Sequence, residues 1–360
     1  MEEWKKVKLG DILNFRRGHD LPKYNMNEGD VPVAGSNGII GYHDEATSIS
    51  PCITIGRSGN TGTPYIYKKC WAHNTVLYVD DFKGNNPVYL YYLLKTIPLS
   101  LFSGGSAVPT LNRNHIHPII IKYCSNKKEQ NSIANILSSL DDKIALNKRI
   151  NDNLEQQALA IYRSWFVDFE PFKGGKFIDS ELGKIPEEWK VGTLKDFVYI
   201  KYGKDHKKLN DGVIPVYGSG GIMRYVDQSL YSGESILIPR KGTLNNVFYV
   251  NESFWSVDTM FYTQMKMNNI AKYIYFFAST QNLASMNAGS AVPSMTTEIL
   301  NSLKCIMAPL EIMEKFNVLQ NPIFDTIRKN EGENEKLSNL RDTLLPQLMS
   351  GELKITDLNS

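Results

Sequence analysis

Hydrophobic and polar positions follow two different patterns that alternate along this chain. Short apolar runs, such as ITI at Ile53 and VLYV at Val76, are separated by glycine-rich turns, as is typical of β-strands. From Lys127 to Phe169, by contrast, there is neither glycine nor proline, and apolar residues recur at steps of mostly four and three. This heptad-like spacing predicts a long helix with one apolar seam facing a partner helix.

Both patterns occur twice. The block GSAVP, which begins at Gly105, returns at Gly289 with an offset of 184, and five other blocks match at offsets between 183 and 185. The matching blocks include the segments that begin at Trp4 and Trp189. Offsets that stay so uniform predict a tandem duplication of a unit of about 180 residues, which is far longer than the repeats of stacked arrays.

The duplication predicts a second seamed helix near the end of the chain. Asn147 and Asn151 fill two seam positions of the first helix, where polar residues fix the register of pairing at a cost in stability. Pro322 and Gly332 interrupt the second pattern, which predicts a kink or a late helix start at Pro322. The seam residues that we expect at the helix–helix or subunit interface are Leu140, Ile144, Leu154, Ile161 and Trp165 in the first helix and Ile323, Ile327, Leu337, Leu344 and Leu348 in the second.

The predicted fold is α+β with a pseudo-twofold internal repeat: two similar mixed α/β globular heads joined by two long antiparallel coiled-coil spacer helices. The predicted domains are a first head over residues 1–126, a central spacer helix over 127–170, a second head over 171–310, and a C-terminal spacer helix with a tail over 311–360. A helix of about 37 residues is about 55 Å long, because it rises about 1.5 Å per residue. Antiparallel pairing would carry the heads to opposite ends, which suits a ligand with two sites at a fixed spacing. Double-stranded DNA fits, because its major groove returns to one side about every 34 Å.

Composition and charge narrow the function classes only a little. The net charge is only +2, so binding of a nucleic acid would depend on local clusters of positive charge. No apolar run approaches the ~18 residues that span a bilayer, so we expect no membrane association. Four widely spaced cysteines and the absence of a signal peptide predict four reduced thiols and a cytoplasmic location. We expect no metal, cofactor or catalytic site, because the sequence shows no cofactor-binding glycine fingerprint, no Walker A motif and no second pair of metal ligands.

Two pairs of matched loops carry the polar chemistry that DNA recognition needs. One pair is GRSGNTGT, from Gly56, and PRKGTLNN, from Pro239; the other is AGSNGIIGY, from Ala34, and YGSGGIMRY, from Tyr217. Residues shared by the two heads would hold the fold or bind phosphate, whereas residues that differ at matching positions would read different bases. The candidate DNA-binding residues are Ser36, Asn37, Arg57, Ser58, Asn60 and Thr61 in the first head and Ser219, Arg224, Arg240, Lys241, Thr243 and Asn245 in the second.

Among these candidates, the predicted base readers are those that differ between the heads. They are Asn37, Ser58, Asn60 and Thr61 in the first head and Arg224, Lys241, Thr243 and Asn245 in the second. The competing interpretation is a pair of solvated hairpin tips. Clusters of cations add weak support, because phosphate binding needs several of them to converge on one surface. These clusters are Arg16 and Arg17, Lys68 and Lys69, Lys127 and Lys128, and the group Lys201, Lys204, Lys207 and Lys208.

The chain also resembles a known family, the specificity (S) subunits of type I restriction–modification enzymes. The resemblance rests on the head openings WKKVKLGDI and WKVGTLKDF, the two GSAVP blocks, the linker WFVDFEPF followed by LGKIPEEWK, and the ending LRDTLLPQLMSGEL. It extends over essentially the whole chain. It implies two target recognition domains, each reading one half of a bipartite DNA target, and two spacer helices that dock two methyltransferase (M) subunits.

The same resemblance implies where the chemistry would reside. The methyltransferase subunits would methylate adenine N6 with S-adenosylmethionine, and restriction (R) subunits would add ATP-driven translocation and cleavage of DNA. This chain would supply sequence choice and hold no cofactor, with S-adenosylmethionine, ATP and Mg²⁺ bound by its partners. Two alternatives stay open at this point. One is a two-headed scaffold or adaptor that binds proteins without sequence-specific DNA binding, and the other is an enzyme whose site is not recognised.

Overall fold

The computed structural model describes residues 4–48, 51–104, 108–287 and 293–355. The chain divides into two compact units, the first made of Met1–Lys148 with Glu331–Ser360 and the second of Arg149–Asn330. Each unit contains one head together with one half of each of the two long helices, because both helices cross the division between the units.

The first head is built from short strands and short helices. Its strands are β1 (Trp4–Lys8), β2 (Asn14–Arg17), β3 (Val31–Gly35), β4 (Gly38–His43), β5 (Cys52–Gly56), β6 (Pro64–Tyr67), β7 (Trp71–Ala72), β8 (Val76–Asp81), β9 (Ser103–Gly104), β10 (Thr110–Leu111) and β11 (Ile120–Cys124). Its helices are α1 (Leu9–Ile12), α2 (Pro87–Lys95) and α3 (Arg113–Ile116), and the first long helix, α4 (Lys127–Phe166), follows. The strands form a four-stranded sheet in the order β2-β8-β5-β6, a three-stranded sheet in the order β4-β3-β7, and the pairs β1–β11 and β9–β10.

The second head repeats this plan with longer strands. Its strands are β12 (Phe177–Ser180), β13 (Gly183–Pro186), β14 (Lys190–Thr193), β15 (Val198–Tyr202), β16 (Asp211–Gly218), β17 (Gly221–Val226), β18 (Tyr231–Pro239), β19 (Phe248–Ser256), β20 (Met260–Met265) and β21 (Lys304–Met307). Its helices are α5 (Leu194–Phe197), α6 (Ala271–Thr280) and α7 (Thr297–Ser302), and the second long helix is α8 (Leu310–Ser350). One six-stranded sheet has the order β15-β20-β18-β19-β16-β17, beside the pairs β14–β21 and β12–β13.

Strand order and register repeat between the heads. In the first head β3 pairs in parallel with β7, and Val33 lies opposite Trp71. In the second head β16 pairs in parallel with β19, and Val216 lies opposite Trp255. The next strand in each head, β4 or β17, forms an antiparallel edge beside this pair. The prediction of an α+β fold with an internal repeat is therefore confirmed.

Each head packs one helix against its sheet. The side chain of Asn86 caps α2 by accepting a hydrogen bond from the N–H of Tyr89 at 3.0 Å, and Pro87 occupies the first turn, where its missing N–H costs nothing. Tyr89 and Leu93 are buried in the core of the first head, and Tyr273 of α6 is buried in that of the second. Each such side chain stabilises its head by roughly 1.5–3 kcal/mol.

In the first unit, the halves of α4 and α8 pack antiparallel. Asp141 of α4 accepts a hydrogen bond from Nη1 of Arg341 at 2.5 Å. Further along α4, Nδ2 of Asn147 donates to Oε2 of Glu333 at 2.7 Å and to Oδ1 of Asn334 at 3.0 Å. Residue numbers that rise along α4 therefore meet numbers that fall along α8, as the sequence predicts.

The second unit has a polar seam of its own between its halves of α4 and α8. Oδ1 of Asn151 accepts a hydrogen bond from Nδ2 of Asn330 at 2.8 Å, and Nε2 of Gln320 donates to the carbonyl oxygen of Ala158 at 3.1 Å. Asn147 and Asn151 are both buried, and each bonds the opposite helix within its own unit. The prediction that these two asparagines are polar seam positions is confirmed.

The predicted seam residues are buried to different degrees. Fully buried side chains are those of Ile144 and Leu348. Half-buried side chains that pack against a core are those of Ile161, Trp165, Ile323 and Leu344. The other half-buried ones are Leu140, Leu154, Ile327 and Leu337. Which of them meets another subunit stays a prediction.

The prediction of a late helix start at Pro322 is wrong. α8 begins at Leu310 and continues through Pro322 and Gly332. Because proline has no N–H, the carbonyl of Val318 loses its helical partner. Val318 is 67% exposed and Pro322 is exposed too, so water can satisfy that carbonyl on the outer face of the helix. Buried Phe316 anchors the inner face of the same segment.

The observed helix ends can be compared with only some of the predicted domain boundaries. α4 begins at Lys127, where the central spacer helix is predicted to begin, and ends at Phe166, before the predicted end at residue 170. The domain boundaries as a whole stay predictions. Most of the two GSAVP blocks, residues 105–107 and 289–292, lies outside the described residues.

The expectation of four reduced thiols is wrong. Cys52, on β5, and Cys70, directly before β7, form a disulfide, and both are buried. They are 18 residues apart in the sequence, and the fold of the intervening strands brings them together. Cys124 and Cys305 are outside this disulfide, and both are buried. Burial raises the pKa of the Cys305 thiol to about 12, because a thiolate would lose its hydration there.

Candidate nucleic-acid interface

The β5–β6 loop of the first head is fixed by backbone contacts at its start. The N–H groups of Arg57 and Ser58 both donate to the carbonyl of Thr75, at 2.8 and 3.2 Å, and Nη1 of Arg57 donates to the carbonyl of Asn74 at 3.4 Å. The N–H of Leu111 donates to the carbonyl of Arg57 at 2.7 Å. The loop is therefore held between the turn that precedes β8 and the short strand β10.

The matching β18–β19 loop of the second head is fixed in the same way. The N–H groups of Arg240 and Lys241 donate to the carbonyl of Thr259, at 2.8 and 3.1 Å, and Nη1 of Arg240 donates to the carbonyl of Asp258 at 3.3 Å. The N–H of Met295 donates to the carbonyl of Arg240 at 2.9 Å. Arg57 and Arg240, both predicted to bind DNA, thus position their loops as well.

The second predicted loop lies beside the first in both heads. A Cβ built at Gly59 would lie 3.9 Å from Oγ of Ser36, and one built at Gly242 would lie 3.0 Å from Oγ of Ser219. Both glycines have left-handed φ values, 83° and 88°, which other residues rarely adopt. In the second head Nδ2 of Asn246 also donates to the carbonyl of Ser219 at 2.7 Å. The structure therefore brings both predicted loops together, and we call this region of each head the loop surface.

Most of the predicted readers are open to solvent on the loop surface. Asn37 and Asn60 are exposed, and Ser58 is half-buried. Asn60 also accepts a hydrogen bond from the hydroxyl of Thr63 at 3.4 Å, which orients its amide. In the second head the exposed readers are Lys241, Thr243 and Asn245, and Oδ1 of Asn245 accepts a hydrogen bond from the N–H of Ala284 at 2.8 Å.

Two predicted readers are not available to a ligand in this structure. Thr61 is buried, and its hydroxyl accepts a hydrogen bond from Ser103 at 2.7 Å. Arg224 is half-buried on β17, where Nη2 donates to the carbonyl of Leu209 at 2.8 Å and lies 3.3 Å from Oδ1 of Asp211. Both side chains are engaged in local contacts within their own head, and a sequence comparison alone does not distinguish such contacts from base reading.

Cations lie on the chain segment next to the loop surface of the second head. The N–H of Lys204 donates to the carbonyl of Ser256 at 2.8 Å, which places the end of β15 beside the turn that fixes the β18–β19 loop. The guanidinium of Arg240 lies 5.3 Å from the ring centroid of Tyr202 on β15. In the part of the chain that the structure describes, no carboxylate forms an ion pair with the lysines Lys201, Lys204, Lys207, Lys208 and Lys241.

An exposed aromatic ring extends this basic surface along β15. Tyr199 is exposed, and the ammonium groups of Lys201 and Lys266 lie 5.7 and 4.5 Å from its ring centroid. Cations that stack on aromatic rings are held in place while remaining open to phosphate. Lys201 belongs to a cation cluster that is visible in the sequence, whereas Lys266, which directly follows β20, the strand paired with β15, gives no such signal.

The first head has the same arrangement with fewer cations. The N–H of Gly18 donates to the carbonyl of Val76 at 3.1 Å, so that β2 continues onto the turn that fixes the β5–β6 loop. A Cβ at position 18 would collide with the carbonyl oxygen of His73, so only glycine fits at this position. Arg16 and Arg17 are both exposed on β2. Burial raises the pKa of Tyr78, and the nearby charge of Arg16 acts in the opposite direction.

Two other kinds of feature, a metal-binding cluster and a membrane-crossing helix, are absent from the described residues. Among residues 4–48, 51–104, 108–287 and 293–355, no group of three or more His, Cys, Asp or Glu side chains is placed to hold a metal ion. Within the same residues, none of the helices combines the length and the apolar character that a membrane crossing requires.

Sequence comparisons identify the family to which the chain is related. The family profile described as "Type I restriction modification DNA specificity domain" matches residues 1–156 and 186–339. The type I restriction enzyme MjaIX specificity subunit of Methanocaldococcus jannaschii is 30% identical over 303 residues, which cover 75% of this chain and 70% of the relative. The HindI specificity subunit of Haemophilus influenzae is 23% identical over 477 residues, covering 98% and 100%.

A solved structure shows the same fold. The crystal structure of a type I restriction–modification system S subunit from Mycoplasma genitalium superposes with a TM-score of 0.67 and covers 96% of both chains. Its sequence is 18% identical, so the likeness concerns the fold and not individual residues.

Proposed function

Because the chain belongs to the type I restriction–modification DNA specificity family, we propose that its two heads choose the DNA target of such a complex. The chain is a specificity subunit, and it carries the domain of this family twice. Each head would read one half of a bipartite double-stranded target. The observation that carries the proposal is that two sequence-divergent loops lie side by side in each head, next to the end of a strand, β2 or β15, that carries exposed cations.

Phosphate binding and base reading would fall to different residues of each loop surface. Lysines and arginines without ion-pair partners gain affinity on any DNA, because they release counterions from the phosphates. Polar side chains at the loop tips add discrimination, because each good contact with a base edge is worth roughly 1–3 kcal/mol. The phosphate-binding set is Arg16 and Arg17 in the first head and Lys201, Lys204 and Lys266 in the second. The reading set is Asn37, Ser58 and Asn60 in the first head and Lys241, Thr243 and Asn245 in the second.

The chemistry of the reading sets gives an expectation for the target. Asparagine pairs well with the N6 and N7 atoms of adenine, whereas lysine donates to O6 and N7 of guanine. The first head offers Asn37 and Asn60, and the second offers Lys241 and Asn245. We therefore expect contacted adenines in the half-site of the first head and both a contacted guanine and a contacted adenine in that of the second.

The long helices would dock two methyltransferase subunits. Each unit leaves apolar helix side chains open to solvent, Leu146 and Leu340 in the first and Ile150 and Leu319 in the second. Exposed apolar side chains on a helix pair are the usual basis for adding further helices. In this proposal restriction subunits complete the complex, which works in the cytoplasm. The partner subunits bind S-adenosylmethionine, ATP and Mg²⁺.

Co-expression with a candidate methyltransferase subunit tests the proposal. In a host without other adenine methylation, we expect methylated adenines to be confined to one bipartite sequence with a fixed spacing between its halves. The methyltransferase alone should leave no such pattern. A partner that is competent for methylation, yet gives none with sequence preference when this chain is present, would contradict the proposal.

Salt dependence separates this proposal from a protein-binding adaptor. Affinity of the chain for DNA should fall steeply between 50 and 200 mM salt, as it does when about six phosphates are neutralised. An adaptor that does not bind DNA would show no measurable complex at either salt concentration. Titration of a labelled duplex that carries the mapped target gives both values.

A further inference from the structure

Each head exposes apolar side chains on an edge strand next to its loop surface. On β4 the exposed fractions lie between 43% and 55%, and on β17 between 42% and 60%. The side chains concerned are Ile39, Ile40 and Tyr42 on β4 and Ile222, Met223 and Tyr225 on β17. β4 is hydrogen-bonded only to β3, and β17 only to β16, in the sheets of the described residues. Apolar edge strands are a liability for a soluble protein unless a partner covers them.

The two apolar strands match although the neighbouring loops do not. At an offset of 183, Ile39 corresponds to Ile222 and Tyr42 to Tyr225, both unchanged, while Ile40 corresponds to Met223. A surface that reads DNA would differ between two heads with different half-sites. A surface that is the same in both heads suits a partner that both heads share.

Charge argues against DNA as that partner. β4 contains neither lysine nor arginine, and the only cation on β17, Arg224, is paired with Asp211 at 3.3 Å. A carboxylate follows each strand directly, Asp44 after β4 and Asp227 after β17. Phosphates would be repelled there, whereas β2 and β15 present free cations. The complementary surface is a protein patch that is apolar at its centre and basic at its rim.

We propose that β4 and β17 are equivalent docking strands for the two methyltransferase subunits, in addition to the helices. This inference rests on the proposed function, because that function supplies a protein partner present in two copies. Each methyltransferase would then be held both by helix side chains and by the head whose half-site it modifies. The contact would keep the subunit beside the bases that the head has selected.

Lysine substitutions at the exposed side chains test the inference without touching the cores. The first variant combines Ile39→Lys with Tyr42→Lys, and the second combines Ile222→Lys with Tyr225→Lys. Each should weaken the binding of one methyltransferase subunit by about tenfold, because a buried apolar contact is replaced by a charge that faces a basic rim. DNA affinity of the chain alone should not decrease. Native mass spectrometry of the chain titrated with purified methyltransferase subunit measures both sites.

Matched controls place lysine at exposed apolar residues on other strands. Ile120→Lys on β11 and Ile178→Lys on β12 should leave methyltransferase binding unchanged, since both side chains are exposed on strands that pair with neither β4 nor β17. Unchanged thermal unfolding of all four variants will show that the heads remain folded.

The outcomes separate this inference from the proposed function. Unaltered methyltransferase binding by both double variants would overturn the inference and leave the proposed function standing. Loss of DNA affinity with intact methyltransferase binding would assign the strands to DNA, and loss of self-association by the chain alone would assign them to a second copy. If the unaltered chain binds no methyltransferase and directs no methylation, the proposed function falls, and this inference falls with it.

Discussion

The two heads are more alike in their framework than in the side chains that they present. Arg57 and Arg240 each donate from Nη1 to a backbone carbonyl at matching positions, at 3.4 and 3.3 Å, and both fix the loop that carries the candidate readers. At the exposed tips the chemistry differs. The differing pairs are Ser58 with Lys241 and Asn60 with Thr243. The shared arginines therefore hold the backbone of the loops, whereas the differing exposed residues are the ones that we propose select bases.

Differences also exist beneath the surface. In the first head Gln130 of α4 donates to Asn85 at 3.0 Å and to the carbonyl of Cys124 at 2.9 Å where the head meets the helix, and the Lys127 ammonium donates to the same Asn85 oxygen. In the second head a buried ammonium takes that role: Nζ of Lys272 lies 3.2 Å from Oε1 of Glu234. Divergence between the copies therefore marks packing as well as specificity, so each differing residue has to be located before a role is assigned to it.

Removal of the charge of Glu234 should destabilise the second head and leave the stability of the first head unchanged. Glu234→Gln leaves the Lys272 ammonium buried without a counter-charge, beside the ring of Tyr249 at 5.1 Å. We expect the free energy of unfolding of the second unit to fall by about 3 kcal/mol, at the lower end for a broken buried pair, because Glu234 is partly exposed. Hydrogen exchange of β18 and β19, compared with β5 and β8, measures the effect unit by unit.

A second substitution sharpens this test. Val88 occupies the position of Lys272 in the first head, so Lys272→Val combined with Glu234→Gln should recover most of the lost stability. Glu311→Gln removes an exposed helix pair with Lys315 and should change stability by less than about 0.5 kcal/mol. Equal effects of Glu234→Gln and Glu311→Gln would show that the Lys272 pair does not stabilise the second unit.

Reduction of the disulfide should affect the first head alone. Ser235 and Phe254 occupy the positions of Cys52 and Cys70 in the second head, which has no such bond. Because the bond closes a loop of 18 residues, its reduction should lower the free energy of unfolding of the first unit by about 2–3 kcal/mol. Hydrogen exchange with and without a phosphine reductant measures this, with the second unit as the internal control.

Thiol counting checks the same bond independently. Alkylation of the unfolded, unreduced chain should label two cysteines, Cys124 and Cys305, and labelling of all four would contradict the disulfide. In the folded chain at pH 8, Cys305 should stay unlabelled, because its pKa of about 12 leaves the thiol protonated.

The sequence predicts what depends on periodicity and repetition, and misses what depends on contacts between distant segments. Long apolar seams, the duplicated heads and the two loop pairs are visible because they recur at fixed spacing. The burial of Thr61 depends on Ser103, and the pairing of Arg224 depends on Asp211, so neither follows from the loops themselves. The continuation of α8 through Pro322 depends on which face of the helix meets solvent. The Cys52–Cys70 bond likewise requires the fold.

Exchange of the readers should alter one half-site and preserve the other. Lys241→Ser with Thr243→Asn gives the second head the side chains of Ser58 and Asn60. We expect binding to the original target to weaken about 30-fold, since each lost base contact costs roughly 1–3 kcal/mol. Mapped methylation should change at the second half-site only.

Thr61→Ser, which keeps the buried hydroxyl, is the matched control in the first head and should leave the methylated target unchanged. A changed target would show that Thr61 belongs to the reading set after all.

The smallest expected effect belongs to a single phosphate contact. Lys201→Ala should weaken binding equally on target and non-target duplexes and reduce the slope of log K against log salt by about 0.9, because one fewer counterion is released. Lys304→Ala is the control: Lys304 is exposed on β21 of the same head but already paired with Glu181, so its loss should leave the slope unchanged. Arg16→Ala should repeat the Lys201 result in the first head, because Arg16 lies on β2, the counterpart of β15. A change of target preference in either variant, rather than of the salt slope, would mean that these cations read bases and that the division between framework and readers lies elsewhere on the loop surface.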